Sequence, residues 1–143
     1  MEPTFHDGDL LILDRAAYDH ASPCRDDIVV LWHRGERIVK RVVGLPGEEV
    51  EVRRSQLYVD GRRVIPNHRT LPGFVEIRRG HLAGDRYAVL GDNRSMTPDE
   101  TVHAVVGTPA IIGRVTARIS WRDRRMERLT LQTAVGGFRS VGT

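Results

Sequence analysis

Short apolar runs separated by tight turns are the feature that most constrains what this chain can fold into. Residues 10–13 read LLIL, residues 28–33 read IVVLWH, and residues 37–43 read RIVKRVV. Runs of this length that are rich in Val and Ile favour strands over helices. The second and third runs are joined only by Arg34-Gly35-Glu36, which predicts a β-hairpin. The chain is therefore predicted to be mainly β, with antiparallel pairing.

The rest of the chain continues this pattern and shows little helix. Further strands are predicted at residues 49–53, 56–64 and 86–90, with a last strand pair within residues 110–119 that is interrupted at Gly113. Asp60-Gly61 is a hairpin turn signal within residues 56–64. Residues 66–84 are rich in Pro, Gly and His and predict an irregular surface excursion. Only residues 124–133 carry a weak helical periodicity.

Composition excludes several classes of protein. The net charge of the 143 residues is +3, and acidic residues are interspersed with basic ones, so no nucleic-acid partner is expected. Cys24 is the only cysteine, which excludes an internal disulfide, and no Cys/His spacing indicates a metal site. No metal or other cofactor is expected. No run reaches the roughly 18 apolar residues that cross a bilayer, so the chain as written is expected to be soluble.

Lys40 is the only lysine in a chain that otherwise uses arginine. Lysine and arginine together number 22, so 21 of these side chains are arginine. A guanidinium keeps its proton in a protein, whereas a desolvated ammonium can lose its proton near neutral pH and then act as a general base. The neighbouring Ile38, Val39, Val42 and Val43 could enclose the amine of Lys40. The alternative is an exposed strand residue in a protein whose arginine excess reflects a GC-rich genome.

Three separated strings carry a resemblance to a known family. They are MEPT at residues 1–4, KRVVGLPG at residues 40–47 and GDNRSMTPD at residues 91–99. In this order they resemble the type I signal peptidases, the Ser/Lys-dyad serine endopeptidases that remove signal peptides. The resemblance covers residues 1–121 and includes the weaker strings DDIVV at residues 26–30 and LYVDG at residues 57–61.

The resemblance implies a fold and a domain organisation. The fold is that of the signal peptidase I-like catalytic domain: antiparallel β-sheets with a small β-hairpin insert and little helix. The catalytic domain would span residues 1–122, with the hairpin and loop insert at residues 48–85. Residues 123–143 are expected to form a disordered C-terminal tail.

The resemblance also assigns roles to particular residues. Lys40 matches the general base, which removes a proton from a serine hydroxyl. Thr97 stands where the family has a serine that orients this lysine. The polar scaffold of the loop is matched by Asp92, Asn93, Arg94 and Asp99. Met1 and Pro3 match positions beside the site, where substrate binds.

The chain departs from the family pattern where the nucleophile belongs. The family's serine directly precedes the methionine that Met1 matches, so the nucleophile is expected immediately before the first residue and the chain as written is expected to be inactive. Thr4, near the amino terminus, and Ser95 and Thr97, in the third string, carry other hydroxyls, but the family geometry supplies no nucleophile from the loop of the third string. Either Met1 is an internal methionine of a longer, anchored protease, or the chain is a relic. The retained Lys40 favours the first explanation, because a relic would have no chemical reason to keep lysine instead of arginine.

Two further departures concern turns and the polar loop. Asp26 replaces a glycine that is usual in the family. Glu100 and Thr101 replace the Ser-Arg pair that usually follows the aspartate at Asp99, so an arginine salt bridge to Asp99 is not expected.

The expected function is cleavage of signal or pro-peptides from secreted precursor polypeptides. A full-length form would be membrane-associated through an N-terminal segment, with its catalytic domain on the extracytoplasmic side. One alternative is a non-catalytic β-module or relic that binds peptide or protein partners. Another is a self-cleaving repressor-type Ser/Lys peptidase domain, against which the KRVVGLPG and GDNR strings argue.

Overall fold

The computed structural model describes residues 1–95 and 104–129, and within these ranges the protein is mainly β. One 3-10 turn, Thr108–Ala110, precedes β10. The strands are β1 (Leu10–Asp14), β2 (Ile28–His33), β3 (Glu36–Gly44), β4 (Glu49–Arg53), β5 (Gln56–Val59), β6 (Arg62–Arg63), β7 (Ile77–His81), β8 (Arg86–Leu90), β9 (Ala104–Gly107), β10 (Ile111–Ser120) and β11 (Arg125–Arg128). Within the same ranges, no helix has the length and apolar character needed to cross a bilayer.

The larger sheet has the order β1-β10-β2-β3-β8-β9, with β11 also paired to β10, and every pairing of named strands is antiparallel. The predicted β2–β3 hairpin is confirmed, and its register runs from Ile28 opposite Arg41 to His33 opposite Glu36. Arg34 and Gly35 both have positive φ in the connecting turn. Two such residues suit the twist of a two-residue hairpin, which explains the glycine at this position.

The middle strands of the larger sheet, β2, β3 and β8, are covered on both faces, which explains why they are continuous apolar runs and do not alternate with polar residues. Val29 and Leu31 pack with Val42 and neighbours in one buried cluster. Ile28 and Val30, which alternate with them along β2, pack with Phe5 and Val115 in another. Successive side chains of a strand point to opposite faces, so β2 contributes to two cores.

The insert forms a second sheet with the order β6-β5-β4-β7. Its inner valines, including Val50 and Val52, pack against Val43 and Leu90 of the larger sheet in a single buried cluster. The sequence analysis predicted strands and a hairpin here but missed β7, because its sequence IRRGH has only one apolar residue. β7 forms because it pairs with β4, from Glu49 opposite His81 to Val52 opposite Ile77.

The structure differs from the sequence-based expectations in three places within the C-terminal third. β9 was not predicted, and the expected strand pair within residues 110–119 is one strand, β10, that continues through Gly113. A β-carbon at Gly113 would lie 2.5 Å from the Asp14 carbonyl oxygen, so glycine is required there by close packing against β1. β11 lies in the segment expected to be a tail and to have a weak helical periodicity, yet it pairs with β10. Residues 130–143 lie outside the described ranges.

Candidate functional site

Lys40 is the last residue of β3 before this strand begins to pair with β8. β2 pairs with β3 along residues 36–41, whereas β8 pairs with β3 only from Arg41 onward. β8 ends at Leu90, opposite Arg41, so the chain turns away at Gly91 beside Lys40. A β-carbon at Gly91 would lie only 3.3 Å from Lys40 Nζ. The glycine therefore leaves room for the amine to lie against the backbone of the loop.

The environment of Lys40 favours its neutral form. Burial lowers the pKa of the Lys40 amine below its ordinary value, and the negative charge of Asp92 opposes this effect without cancelling it. Desolvation penalises the ammonium because fewer water dipoles stabilise its charge. An amine with a lowered pKa is unprotonated more often at neutral pH, so Lys40 has the property that a general base requires.

Arg41 and Asp92 form a buried, two-point ion pair next to Lys40. Arg41 Nε donates to Asp92 Oδ1 at 2.9 Å, and Nη2 donates to Oδ2 at 2.7 Å. Arg41 Nη1 also donates to the carbonyl oxygen of Asp26 at 3.1 Å. Burial alone would raise the pKa of Asp92, but the hydrogen bonds and charge of Arg41, together with Thr4 and His68, hold it below its usual value. Asp92 is therefore an anion that anchors the loop to β3.

The N-terminal segment joins the same cluster. Thr4 Oγ1 donates to Asp92 Oδ2, and Arg118 Nη1 holds the Thr4 carbonyl oxygen at 2.9 Å. The peptide bond between Glu2 and Pro3 is cis. Burial and the charge of Lys40 lower the pKa of the Met1 amino group. Met1 thus begins close to the amine of Lys40, and Pro3 lies between Met1 and the Thr4 anchor.

Polar groups within the loop after β8 also form hydrogen bonds with one another. Arg94 is buried, and its Nε donates to the Gly91 carbonyl oxygen at 2.8 Å. Burial lowers the pKa of Arg94. Asn93 Oδ1 accepts hydrogen bonds from the backbone and the hydroxyl of Ser95, at 3.0 and 2.6 Å. Thr97 and Asp99, with Glu100 and Thr101, lie outside the described residues.

Sequence reasoning missed the part of the site contributed by residues 66–76. Leu71 N donates to the Asp92 carbonyl oxygen at 3.0 Å, and Arg94 N donates to the Leu71 carbonyl oxygen at 2.9 Å. The side chain of His68 lies beside Asp92, with Nε2 3.5 Å from Oδ1. The segment at residues 66–76, predicted to be part of an irregular surface excursion, therefore packs against the loop after β8. A histidine among Pro and Gly residues was its only sequence signal.

The described part of the chain contains no group of three His, Cys, Asp or Glu side chains that could hold a metal ion. The chemical groups in this part of the fold are the Lys40 amine, the Arg41–Asp92 ion pair and the Thr4 hydroxyl, which donates to Asp92. An amine with a lowered pKa is suited to taking a proton from a hydroxyl, the step that begins acyl transfer by an activated hydroxyl.

Comparisons with known proteins agree with this chemistry. The family model described as signal peptidase, peptidase S26, matches residues 1–121. A probable signal peptidase I-2 of Synechocystis sp. is 33% identical over 140 residues, and the match covers 91% of this chain and 63% of the Synechocystis protein. Signal peptidase I of Bacillus caldolyticus is 33% identical over 134 residues, with 82% of this chain and 73% of that protein covered.

A solved structure extends the likeness to the fold. The crystal structure of a signal peptidase I from Enterococcus faecalis is 27% identical and superposes with a TM-score of 0.53, covering 66% of this chain and 97% of that chain. The present chain spans slightly less than two thirds of the length of the Synechocystis relative. With the family model matched over residues 1–121, this chain belongs to the signal peptidase family.

Proposed function

We propose that this chain is the catalytic domain of a signal peptidase I-type serine endopeptidase that cleaves signal or pro-peptides from secreted precursors. The observation that carries the proposal is the half-buried Lys40, whose pKa is lowered and whose amine lies beside Gly91. Family membership supports the same chemistry. The domain would comprise residues 1–122 together with β11, which pairs with β10, and residues 48–85 would be its insert.

In the proposed mechanism, neutral Lys40 is the general base. Its amine takes the proton of a serine hydroxyl while the hydroxyl oxygen attacks the scissile carbonyl, and the resulting ammonium returns the proton to the leaving amine. Water then hydrolyses the acyl-enzyme with the amine again as base. Thr97 would orient the amine. Asp92, Asn93, Arg94 and Asp99 would hold the loop.

The nucleophile in this proposal is a serine placed directly before Met1. The influence of the Lys40 charge on the pKa of the Met1 amino group supports this position, because a residue joined to that nitrogen begins close to the amine. Expressed from Met1, the chain is expected to lack peptidase activity.

The substrate would bind as an added strand. Residues 36–40 of β3 pair with β2 on one side. On the other side, where pairing with β8 begins only at Arg41, no described strand pairs with them. An unpaired strand edge offers backbone donors and acceptors to an extended peptide. Met1 and Pro3 would contact this peptide, with small side chains next to the cut bond.

Membrane association is a further part of the proposal. Leu10, Ile119 and Met126 are cross-strand neighbours on β1, β10 and β11, so they share one face. Leu10 is 54% exposed and Met126 is 56% exposed. This apolar row, in which Ile119 is partly buried between the exposed Leu10 and Met126, is the kind of surface that contacts a lipid headgroup region. A membrane segment N-terminal to the domain would hold it on the extracytoplasmic side.

The test compares chains that carry either serine or alanine immediately before Met1, each released from a fusion as a defined N-terminus. With a signal-peptide substrate, we expect cleavage by the serine form and none by the alanine form. In the serine form, Lys40→Arg should abolish turnover, because a guanidinium cannot accept the proton. Activity that survives Lys40→Arg would refute the assignment of the base.

The unpaired edge of β3 also favours a second candidate, a module that binds peptide without cleaving it. The same experiment separates the two. Saturable peptide binding by the serine form, with no cleavage at any pH, would support the binding module. Turnover by the chain that starts at Met1, lost on Lys40→Ala, would instead show that Thr4, Ser95 or Thr97 supplies a nucleophile.

A further inference from the structure

His68 extends from the excursion between β6 and β7 into the charged cluster beside Lys40. Its side chain is only 14% exposed, and Nε2 lies 3.5 Å from Asp92 Oδ1. This nitrogen is buried and has no hydrogen-bond partner within the described residues. Nδ1 lies 3.3 Å from Asn67 Oδ1 and 3.8 Å from Asp26 Oδ1. A buried imidazole nitrogen without a partner is uncommon and calls for a physical reason.

The charges around His68 come from three parts of the fold. Arg41 on β3 and Arg94 in the loop are cations, whereas Asp92 in the loop and Asp26 before β2 are anions. Burial and then Arg41 lower the pKa of His68, and the two carboxylates oppose them. The imidazole is therefore neutral at physiological pH, with one nitrogen available as a donor and the other as an acceptor.

Asp26 has an unusual backbone conformation that brings its carboxylate to this place. Its φ is 70°, in the left-handed region that glycine adopts freely and that Asp tolerates better than most residues. Its backbone nitrogen and carbonyl oxygen are both used, by Val42 and by Arg41. An aspartate here places a negative charge on the outer side of His68, opposite Asp92.

We propose that His68 is a positioning residue for Lys40 that acts through Asp92, whose Oδ1 lies 3.5 Å from His68 Nε2. In the neutral tautomer that carries its proton on Nε2, a movement of about 0.3 Å would bring this nitrogen and Asp92 Oδ1 into hydrogen-bond range. The Asn67 amide, after a half-turn that exchanges its oxygen and nitrogen, would donate to Nδ1. The role rests on the proposed function of Lys40 as the base.

Two physical effects of the imidazole act in the same direction. A hydrogen-bond donor near Asp92 Oδ1 offsets part of the negative charge of the carboxylate. Because that negative charge raises the pKa of Lys40, offsetting it keeps the pKa of Lys40 lower. The ring also fills the space beside Asp92 and excludes water, which maintains the low dielectric that disfavours the ammonium. Removal of the ring should therefore raise the pKa of Lys40.

The single lysine makes this test direct. Labelling the whole chain with lysine that carries 13C at Cε yields one side-chain NMR signal, that of Lys40, which can be followed through a pH titration. We expect His68→Ala to move the Lys40 midpoint upward, and His68→Gln to move it less because the amide keeps a donor. His81→Ala removes an exposed histidine on β7 and should leave the midpoint unchanged.

A merely structural role for His68 would give a different result. Thermal stability would fall in His68→Ala while the Lys40 midpoint stayed at its parent value, and this outcome would overturn the proposal. If His68→Ala does not fold, His68→Gln decides: an upward shift supports the role, and an unchanged midpoint overturns it.

Activity supplies a separate readout in the form with serine before Met1. We expect kcat/KM of His68→Gln at neutral pH to fall by about three- to tenfold and to recover at higher pH, because the neutral fraction of Lys40 is what changes. A loss that is equal at all pH values would contradict this. Failure of the proposed function would give a different result. If Lys40 in the parent chain titrated with the midpoint of an ordinary lysine, the assignment of Lys40 as the general base would be refuted.

Discussion

At the scale of single residues, the buried pair of Arg41 and Asp92 makes the strongest prediction about stability. Asp92→Asn leaves the Arg41 guanidinium buried without its anion, so we expect the free energy of unfolding to fall by about 3–5 kcal/mol. The pKa of Asp92 is lower in the folded state than in the unfolded state, where it is near 4. The stability that ionised Asp92 contributes is therefore fully present above the unfolded-state pKa and is lost as pH falls through the folded-state pKa. Urea denaturation from pH 7 to pH 3 measures both effects. Glu51→Gln, which removes a partner of the exposed Arg53, is the control and should change little.

Lys40 is expected to reduce the stability of the fold that holds it. Its pKa is lower in the folded state than in the unfolded state, so the unfolded chain binds more protons and stability increases with pH between the two values. Lys40→Met should therefore raise the thermal midpoint at pH 7, and its advantage should shrink as pH approaches the unfolded lysine value near 10.4. Scanning calorimetry at pH 7 and pH 10 tests this. An equal gain at both pH values would show that packing, not ionisation, is responsible.

At the scale of elements, the docking of residues 71–74 on the loop after β8 depends on Gly73. A β-carbon at Gly73 would lie 1.6 Å from the Arg94 carbonyl oxygen, the atom that accepts a hydrogen bond from Phe74 N. Gly73→Ala should therefore displace the excursion, lower stability by about 1–3 kcal/mol or more, and speed amide exchange at Leu71 and Phe74. Gly80→Ala is the control, because its β-carbon would meet nothing closer than 3.8 Å. Unchanged exchange at Leu71 in Gly73→Ala would contradict the prediction.

At the scale of the whole molecule, the apolar row across β1, β10 and β11 predicts binding to lipid surfaces. Replacing both Leu10 and Met126 by serine removes two exposed apolar side chains, so vesicle binding should weaken by about tenfold or more. Co-sedimentation with phospholipid vesicles measures the effect. Trp32→Ser is the matched control: Trp32 is 53% exposed but lies near the opposite end of β10, since Leu31 pairs with Ile111. Equal losses in both variants would refute a localised surface.

Local sequence patterns were sufficient to predict some strands but not others. The β2–β3 hairpin could be predicted because its apolar runs and its turn are adjacent in sequence. β7 and β11 could not, because IRRGH and RMER contain few apolar residues and form strands only by pairing with β4 and β10. Gly113 was interpreted as an interruption, yet its role is a close contact with β1, about 100 residues earlier.

The amino-acid sequence was sufficient to predict which chemical groups are present and their order: one lysine in an apolar run, a GDNR loop and a mainly β chain. Only the folded chain shows that Lys40 lies beside Gly91, that Arg41 pairs with Asp92, and that His68 reaches this pair from the insert. The physical reason is that a lowered pKa depends on desolvation and on charges brought together from distant segments. Neither property is carried by the residues adjacent to Lys40, because burial and charge proximity arise only when the sheets and loops pack.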